Sequence, residues 1–158
     1  MNVIGEQIGK LCKIILPIPE ESYLGDLNSS IAVCTLSSID LLKKLANSEI
    51  LNHISIVGRL LSENKGIDSI IKHVNKNQKI STIIVCGKEV WGHKAGHSLF
   101  QLHKHGVDKN NQIINSTSPD PFLTVSKSQI QYFQNKITLV NLINETDLKI
   151  ILDKIRIS

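Results

Sequence analysis

The residues that could do chemistry in this sequence are concentrated around two histidines, His93 and His97, four positions apart. A buried strand is predicted to end at residue 87, and a helix predicted over 92–105 carries both histidines. At helical spacing, one side of this helix presents His93, Gly96, His97 and Phe100, and the other presents Ala95, Leu99 and Leu102. The second set is suited to a core. The first combines an imidazole that can bind a metal, an aromatic ring and a glycine that permits close approach, which favours a flat cofactor.

His93 is the stronger candidate for a metal ligand because it is predicted to lie in the first turn of that helix. The positive end of the helix dipole disfavours imidazolium there and leaves a lone pair for a metal. Zinc shared with His97 is an alternative, but the HExxH glutamate is missing and no third ligand is evident. A single histidine is more often a solvated or hydrogen-bonded structural residue, and this is our interpretation of His53, His73, His103 and His105.

The elements that must position these side chains form an α/β pattern, because short β-branched runs alternate with helical periodicity. We predict a Rossmann-like domain, residues 1–158, with a mainly parallel central sheet flanked by helices; residues 1–20 have uncertain structure. Strands are predicted over 31–36, 53–58, 81–87 and 137–142, with 81–87 central, and helices over 41–51, 65–74, 92–105, 126–133 and 146–155. A long loop is predicted over 108–120. Ligands of such sheets bind beyond the carboxyl ends of strands, where segment 87–92 leads to His93.

Composition narrows the class of protein. Hydrophobic residues make up 41% of the chain and charged residues 20%, which is typical of a globular domain. The net charge is +4, but the lysines are dispersed and aromatic residues are only 4% of the chain, so no nucleic-acid surface is predicted. No signal peptide or membrane-spanning apolar run is evident, which predicts a soluble, cytoplasmic protein.

Several common chemistries are not favoured by the motifs present. Cys12, Cys34 and Cys86 fit neither a disulfide framework nor CxxC spacing, and we predict that they are reduced and mostly buried. No GxGxxG or GxxxxGK[ST] run follows a strand, so dinucleotide and P-loop sites lack their phosphate cradle. Paired carboxylates and nucleophile elbows are also missing.

The most specific motif is segment 85–98, VCGKEVWGHKAGHS, which contains E-V-x-G-H-x-x-G between a predicted strand and a predicted helix. Shorter matches occur in order at 23–26, 33–38, 62–67, 102–108, 113–114, 121–122, 133–134 and 140–143. With these segments the sequence resembles, over most of its length, the cytoplasmic domain of MtrA, the corrinoid-carrying component of tetrahydromethanopterin S-methyltransferase.

The resemblance implies a domain that binds cobalamin or a related cobamide whose own lower base is displaced by a histidine, here His93. In the family the cobalt cycles between Co(I) and methyl-Co(III). Partner methyltransferase subunits deliver the methyl group from a tetrahydropterin and pass it to a thiol, with sodium transport in the membrane complex. The cofactor-binding residues implied in this chain are Thr35, Leu36, Ser37, Asn64, Gly87, Gly92, His93, Gly96, His97, Ser98, Pro121 and Phe122.

Departures from the family pattern qualify this expectation. The sequence has no linker and membrane helix after the closing helix, which favours a soluble methyl carrier using a tetrahydropterin or tetrahydrofolate donor over a part of a sodium pump. The family commonly has glutamine where His97 stands, so His97 is a rival ligand or a residue that tunes the site. The loop 113–121 reads IINSTSPDP where the family is rich in glycine and alanine. That bulk and charge could alter the choice of cofactor or partner.

When one imidazole nitrogen of a histidine binds a metal, the other usually donates a hydrogen bond to an acceptor that orients the ring. Other corrinoid carriers use the aspartate of a DxHxxG motif, but Trp91 stands at that position, so the acceptor must come from elsewhere, with Glu89 or a backbone carbonyl as candidates. Two alternatives to a methyl carrier stay open: a non-enzymatic corrinoid-binding or storage protein, and a Rossmann-like nucleotide or flavin module.

Overall fold

The computed structural model describes residues 21–158 and shows a five-stranded, mainly parallel sheet with helices on both faces. This confirms the predicted α/β class. The strands are β1 (Ser22–Leu24), β2 (Ile31–Cys34), β3 (Ile56–Gly58), β4 (Thr82–Gly87) and β5 (Thr138–Ile143). The helices are α1 (Ile39–Ala46), α2 (Lys65–Lys76), α3 (Ala95–His105), α4 (Lys127–Lys136) and α5 (Leu148–Arg156), with a 3-10 helix at Glu49–His53. Residues 1–20, including Cys12, lie outside the described part.

The strand order β1-β3-β2-β4-β5 defines where a ligand can bind. Strands β2 to β5 are parallel, and β1 pairs antiparallel with β3 at the edge. From β2 the chain crosses to β3 on one side and then returns to β4 on the other side of β2. The loops that follow β2 and β4 therefore lead to helices on opposite faces of the sheet, which makes the carboxyl ends of these two strands its topological switch point. The middle strand is β2, so the prediction that residues 81–87 form the central strand was wrong, although β4 is interior.

The core lies on both faces of the sheet because successive side chains of a strand point in opposite directions. On one face, Ile83 and Val85 pack with the buried sides of α2, α3 and α4. On the other face, Ile84 and Cys86 pack with α1 and α5. A strand buried on both faces has to be apolar at every position, which explains the continuous apolar run Ile83 to Cys86.

The predicted ends of several elements were wrong for local reasons. Helix α3 begins at Ala95 rather than at residue 92, because Gly92 (φ 79°) and Lys94 (φ 48°) both have left-handed backbone conformations. The predicted helix 41–51 is divided into α1 and the 3-10 helix. Strand β1 was not predicted, since all three of its residues are exposed and leave no apolar pattern. Segment 107–125 contains only isolated bridges, in agreement with the predicted loop.

Candidate cofactor site at the carboxyl edge

The turn between β4 and α3 carries His93 at the carboxyl edge of the sheet. Backbone N–H groups of His93 and Lys94 both donate to the carbonyl of Val90, at 3.2 and 2.8 Å, which closes a tight turn. Gly92 at its tip has open space where a Cβ would lie, and the Trp91 side chain is 94% exposed. The turn therefore projects from the sheet edge into solvent with an aromatic side chain beside the histidine.

His93 is held from another element by Glu63, which lies between β3 and α2. Nδ1 of His93 lies 2.8 Å from Oε2 of Glu63, whose side chain is 1% exposed. The other carboxylate oxygen, Oε1, accepts the Asp120 N–H at 3.0 Å. Asp120 is in turn fixed by Nδ2 of Asn64, which donates to its carbonyl at 3.2 Å and its carboxylate at 2.9 Å. Three segments of the chain thus meet around the Glu63 carboxylate.

This contact defines which nitrogen of His93 is free. An ionised carboxylate only accepts hydrogen bonds, so in a neutral ring the proton lies on Nδ1 and faces Glu63. Nε2 then carries the lone pair. The His93 side chain is 38% exposed, whereas Glu63 beneath it is buried. A carboxylate that orients an imidazole in this way is the usual arrangement behind a metal-bound histidine.

The structure corrects the expected partner of His93 and its expected place in the helix. Glu89 accepts from the backbone N–H groups of Gly96 (3.0 Å) and His97 (2.8 Å), so its carboxylate occupies the positive end of α3. His93 precedes the helix and does not lie in its first turn. The acceptor for its second nitrogen is Glu63, and the tautomer follows from that hydrogen bond rather than from the helix dipole.

His97, the rival ligand, is bound to the long loop. Its Nε2 accepts the backbone N–H of Thr117 at 3.3 Å, so the lone pair of that nitrogen is used within the protein. Among residues 21–158 no cluster of three or more histidine, cysteine or acidic side chains could hold a metal, which gives no support to a zinc site shared with His93.

The predicted residues after β2 and β4 pack against each other at this edge. Thr35 and Leu36 are fully buried, and Leu36 has a left-handed backbone (φ 47°). Ser37 Oγ donates to the carbonyl of Lys88 at 2.7 Å, which ties the two loops together. Gly87 (φ 81°) packs so closely that a Cβ would lie 2.3 Å from the Thr35 carbonyl oxygen. These residues fix the shape of the edge, and their backbone groups are bonded within the protein: the Thr35 N–H donates to the Gly58 carbonyl, and the Arg59 guanidinium donates to the carbonyls of Leu36 and Ser37.

The remaining predicted positions divide between packing and surface. A Cβ on Gly96 would lie 2.9 to 3.1 Å from side-chain atoms of Glu89, Ile143 and Leu36, so its small size serves internal packing. Pro121 is buried, and Phe122 beside it is 45% exposed. Ser98 is fully buried against the long loop. Gly92 and Phe122 are the exposed residues among the predicted positions, and Ser37, Asn64, His93 and His97 are half-buried.

Other reactive groups lie apart from His93. Cys34 and Cys86 are free and buried, as predicted; burial raises the pKa of Cys34 to about 11 and also raises that of Cys86. His103 Nε2 lies 2.6 Å from the Ile137 carbonyl, a structural contact. Cavities of about 560 and 250 Å³ lie near Arg156 and beneath α2, away from His93. The site is an open edge, which suits a ligand with a broad face.

Fold and site together define an α/β domain with a carboxylate-oriented histidine at its topological switch point. Residues 16–157 match the family MtrA, which is described as one of the subunits of tetrahydromethanopterin S-methyltransferase, and the chain belongs to this family.

Individual relatives agree with the family match. The chain is 35% identical over 142 residues to a subunit of the methyltransferase Mtx of Methanosarcina barkeri, covering 89% of this chain and 68% of that protein. It is 32% identical over 143 residues to a tetrahydromethanopterin S-methyltransferase subunit of Methanohalophilus mahii, covering 89% of this chain and 57% of that protein. The corresponding subunit from Methanothermobacter thermautotrophicus is 30% identical over 140 residues, covering 83% of this chain and 74% of that protein.

The chain spans less than two thirds of the length of several curated relatives that it matches, including the one from Methanohalophilus mahii. None of the helices within residues 21–158 combines the length and the apolar composition needed to cross a bilayer.

Proposed function

We propose that this domain is a cytoplasmic corrinoid carrier of a methyl-transfer system, with Nε2 of His93 as the lower ligand of cobalt. The single observation that carries the proposal is the Glu63–His93 hydrogen bond at the switch point of the sheet. It supplies the orientation that a metal-bound imidazole needs. Membership of a family of methyltransferase subunits supports the same reaction class.

The residues present fit a corrinoid by their chemistry and position. A corrin macrocycle is broad and flat, and its lower ligand has to rise from a surface rather than from the bottom of a narrow pocket. His93 meets this need, since it is partly exposed on a projecting turn and braced from below by a buried carboxylate. Trp91 and Phe122 add exposed aromatic surface for apolar contact.

Nitrogen availability favours His93 over His97. Binding through Nε2 of His97 would break its hydrogen bond with the Thr117 N–H and leave that donor without its partner. Binding through Nε2 of His93 leaves the Glu63 hydrogen bond intact and strengthens it, because a metal makes the ring a better donor.

The cofactor would supply a cobalt centre that cycles between Co(I) and a methylated Co(III) state and so holds the methyl group between donor and acceptor. The chain itself fixes the imidazole orientation through Glu63 and holds the proton on Nδ1. Tetrahydropterin or tetrahydrofolate donors, a thiol acceptor and partner methyltransferase subunits belong to the proposal, with catalysis in the partners. The relatives named as methyltransferase subunits support a division of labour of this kind.

The test is a titration of the purified protein with cobalamin, followed by visible absorption. We expect the wild-type protein and His97→Ala to give the spectrum of a histidine-ligated corrinoid with its own base displaced. We expect His93→Ala to retain at most a weakly bound cofactor without that spectrum. No binding by the wild-type protein would refute the proposal, and loss of the histidine signature only in His97→Ala would assign the ligand to His97 instead.

A carrier differs from a storage protein because it passes on the methyl group of its bound cofactor. Loading the protein with a methylated cobamide and adding a partner methyltransferase with its thiol should transfer the methyl group in a His93-dependent way. A tightly bound cofactor that no partner can demethylate would favour storage. Binding of a nucleotide or flavin in place of cobalamin would favour a Rossmann-like nucleotide or flavin module.

A further inference from the structure

Three serine side chains meet between helix α3 and the loop 113–121. Ser98 Oγ lies 2.7 Å from Ser116 Oγ and 2.6 Å from Ser118 Oγ. Ser98 is fully buried and Ser118 is 8% exposed. Buried hydroxyls require hydrogen-bond partners, so this hydroxyl cluster fixes the loop at Ser116 and Ser118 against helix α3.

The proton of each hydroxyl can be assigned because each has only one to donate. Ser118 Oγ donates to the Lys94 carbonyl at 3.2 Å, so it must accept from Ser98. Ser98 consequently accepts from Ser116, and Ser116 Oγ accepts the Ser118 N–H at 3.2 Å. The result is a directed chain of hydrogen bonds in which every hydroxyl both donates and accepts, and which ends on the Lys94 carbonyl.

One end of this chain fixes the backbone next to His93. Lys94 follows His93 directly and has a left-handed conformation (φ 48°), which a residue with a side chain rarely adopts without support. Its carbonyl accepts both the Ser118 hydroxyl and the Ser98 N–H, the latter at 3.0 Å. The hydroxyl cluster therefore helps to hold the residue that sets the direction of the His93 backbone.

The other end fixes the partner of His93. Two residues beyond Ser118, the Asp120 N–H donates to Glu63, and the second oxygen of Glu63 faces His93. The Asn64 side chain holds Asp120 from the far side. A shift of the loop would move Asp120 away and free the carboxylate to rotate.

We propose that Ser98 and Ser116 are positioning residues that fix the orientation of His93 through Lys94 on one side and through Asp120 and Glu63 on the other. This inference deepens the proposed function and rests on it for the identity of the ligand. The positioning itself is a property of the protein without cofactor and can be measured there.

The first test uses the cofactor-free protein labelled with ¹⁵N and observed by NMR. In Ser116→Ala, we expect the Asp120 amide to exchange with solvent about tenfold faster, because loss of one buried hydrogen bond changes a local equilibrium by about that factor. The ring nitrogens of His93 should move from a single Nδ1–H tautomer toward an average of two. Ser116→Thr keeps the hydroxyl and should restore both readouts.

Ser69→Ala is the matched control, because Ser69 is an exposed helical serine whose hydroxyl bonds only to its own helix, at Lys65. It should leave Asp120 and His93 unchanged. Ser98→Ala should act as Ser116→Ala does; if it fails to fold, the half-buried Ser116 carries the test. Folded Ser116→Ala protein with wild-type exchange at Asp120 and an unaltered His93 ring would overturn the proposal.

The second test separates this proposal from the proposed function. If the wild-type protein binds cobalamin, Ser116→Ala should weaken binding about three- to tenfold, and the effect should be smaller in a Glu63→Gln background, because one of the two routes to His93 runs through Glu63. Full additivity of the two changes would refute the route through Glu63. If the wild-type protein binds no cobalamin, the proposed function fails, whereas the NMR result still decides whether the serines position His93.

Discussion

Replacing Glu63 by glutamine keeps the size of the side chain but removes one of the two acceptors that the structure uses. His93 Nδ1 and the Asp120 N–H face the two carboxylate oxygens at 2.8 and 3.0 Å. An amide accepts at one atom and donates at the other. If the amide nitrogen of the new glutamine faces His93, the ring proton has to move to Nε2, where it blocks a metal. If the amide nitrogen faces Asp120 instead, it opposes the Asp120 N–H, and both groups are donors.

The magnitude follows from the position of the pair. Loss of the partner that orients a metal-bound histidine typically lowers metal affinity by about 10- to 100-fold. Glu63 is buried, but His93 is 38% exposed, so water screens part of the interaction. We therefore expect the lower end of the range for Glu63→Gln, about tenfold weaker cobalamin binding, which corresponds to about 1.4 kcal/mol.

The assay is a titration with cobalamin, monitored by absorbance and by heat. Glu49→Gln is the control, since it removes the same charge from an exposed residue near the start of the 3-10 helix. It should bind as the wild-type protein does. Wild-type affinity in Glu63→Gln, together with a loss in His93→Ala, would show that the carboxylate does not orient the ligand and would refute this reasoning.

Three further predictions concern stability and reactivity. Gly87→Ala should lower the free energy of unfolding by more than about 2 kcal/mol, because φ is 81° and a Cβ would meet the Thr35 carbonyl. Gly92→Ala has a similar φ but open space around the Cβ, so it should lower the free energy of unfolding by about 1 kcal/mol. Urea unfolding of the two variants compares these values. Burial, with a contribution from a nearby lysine, lowers the pKa of His73 below 6.5, so the unfolded chain binds that proton more readily. The contribution of neutral His73 to the free energy of unfolding is present above about pH 6.5 and should be lost as the pH falls. The free energy of unfolding of His73→Gln should therefore fall less than that of the wild-type protein between about pH 7.5 and 5.5. Burial also raises the pKa of Cys34 to about 11, so its thiol should react with a disulfide reagent near neutral pH only after unfolding; fast reaction of the folded protein would contradict this.

Much of the fold could be predicted because the buried strands are apolar at consecutive positions and the helices are amphipathic. Residues 83–86 illustrate this, since each of them is buried against one face or the other. The start of α3 could not be predicted from periodicity, because it depends on Lys94 adopting a left-handed conformation that lysine rarely has. Strand β1 is three exposed residues and has no pattern to detect.

The site was predictable only in part for a similar reason. The spacing of His93 after a buried strand indicated its place at the sheet edge, but Glu63 is 30 residues away and reaches it through the tertiary fold. The signal available was a glutamate that immediately precedes the start of α2 at the carboxyl edge, next to the Asn64 cap. A carboxylate buried at that edge needs a partner, and His93 is that partner.

The central claim is that Nε2 of His93 is the lower ligand of cobalt, and electron paramagnetic resonance of bound Co(II) cobalamin tests it most directly. A coordinated ¹⁴N nucleus splits the cobalt lines into triplets, and a ¹⁵N nucleus splits them into doublets. With ¹⁵N-histidine incorporated, we predict doublets for the wild-type protein and for His97→Ala, and no histidine splitting for His93→Ala. Triplets that do not respond to the histidine label, or doublets that disappear only in His97→Ala, would contradict the account.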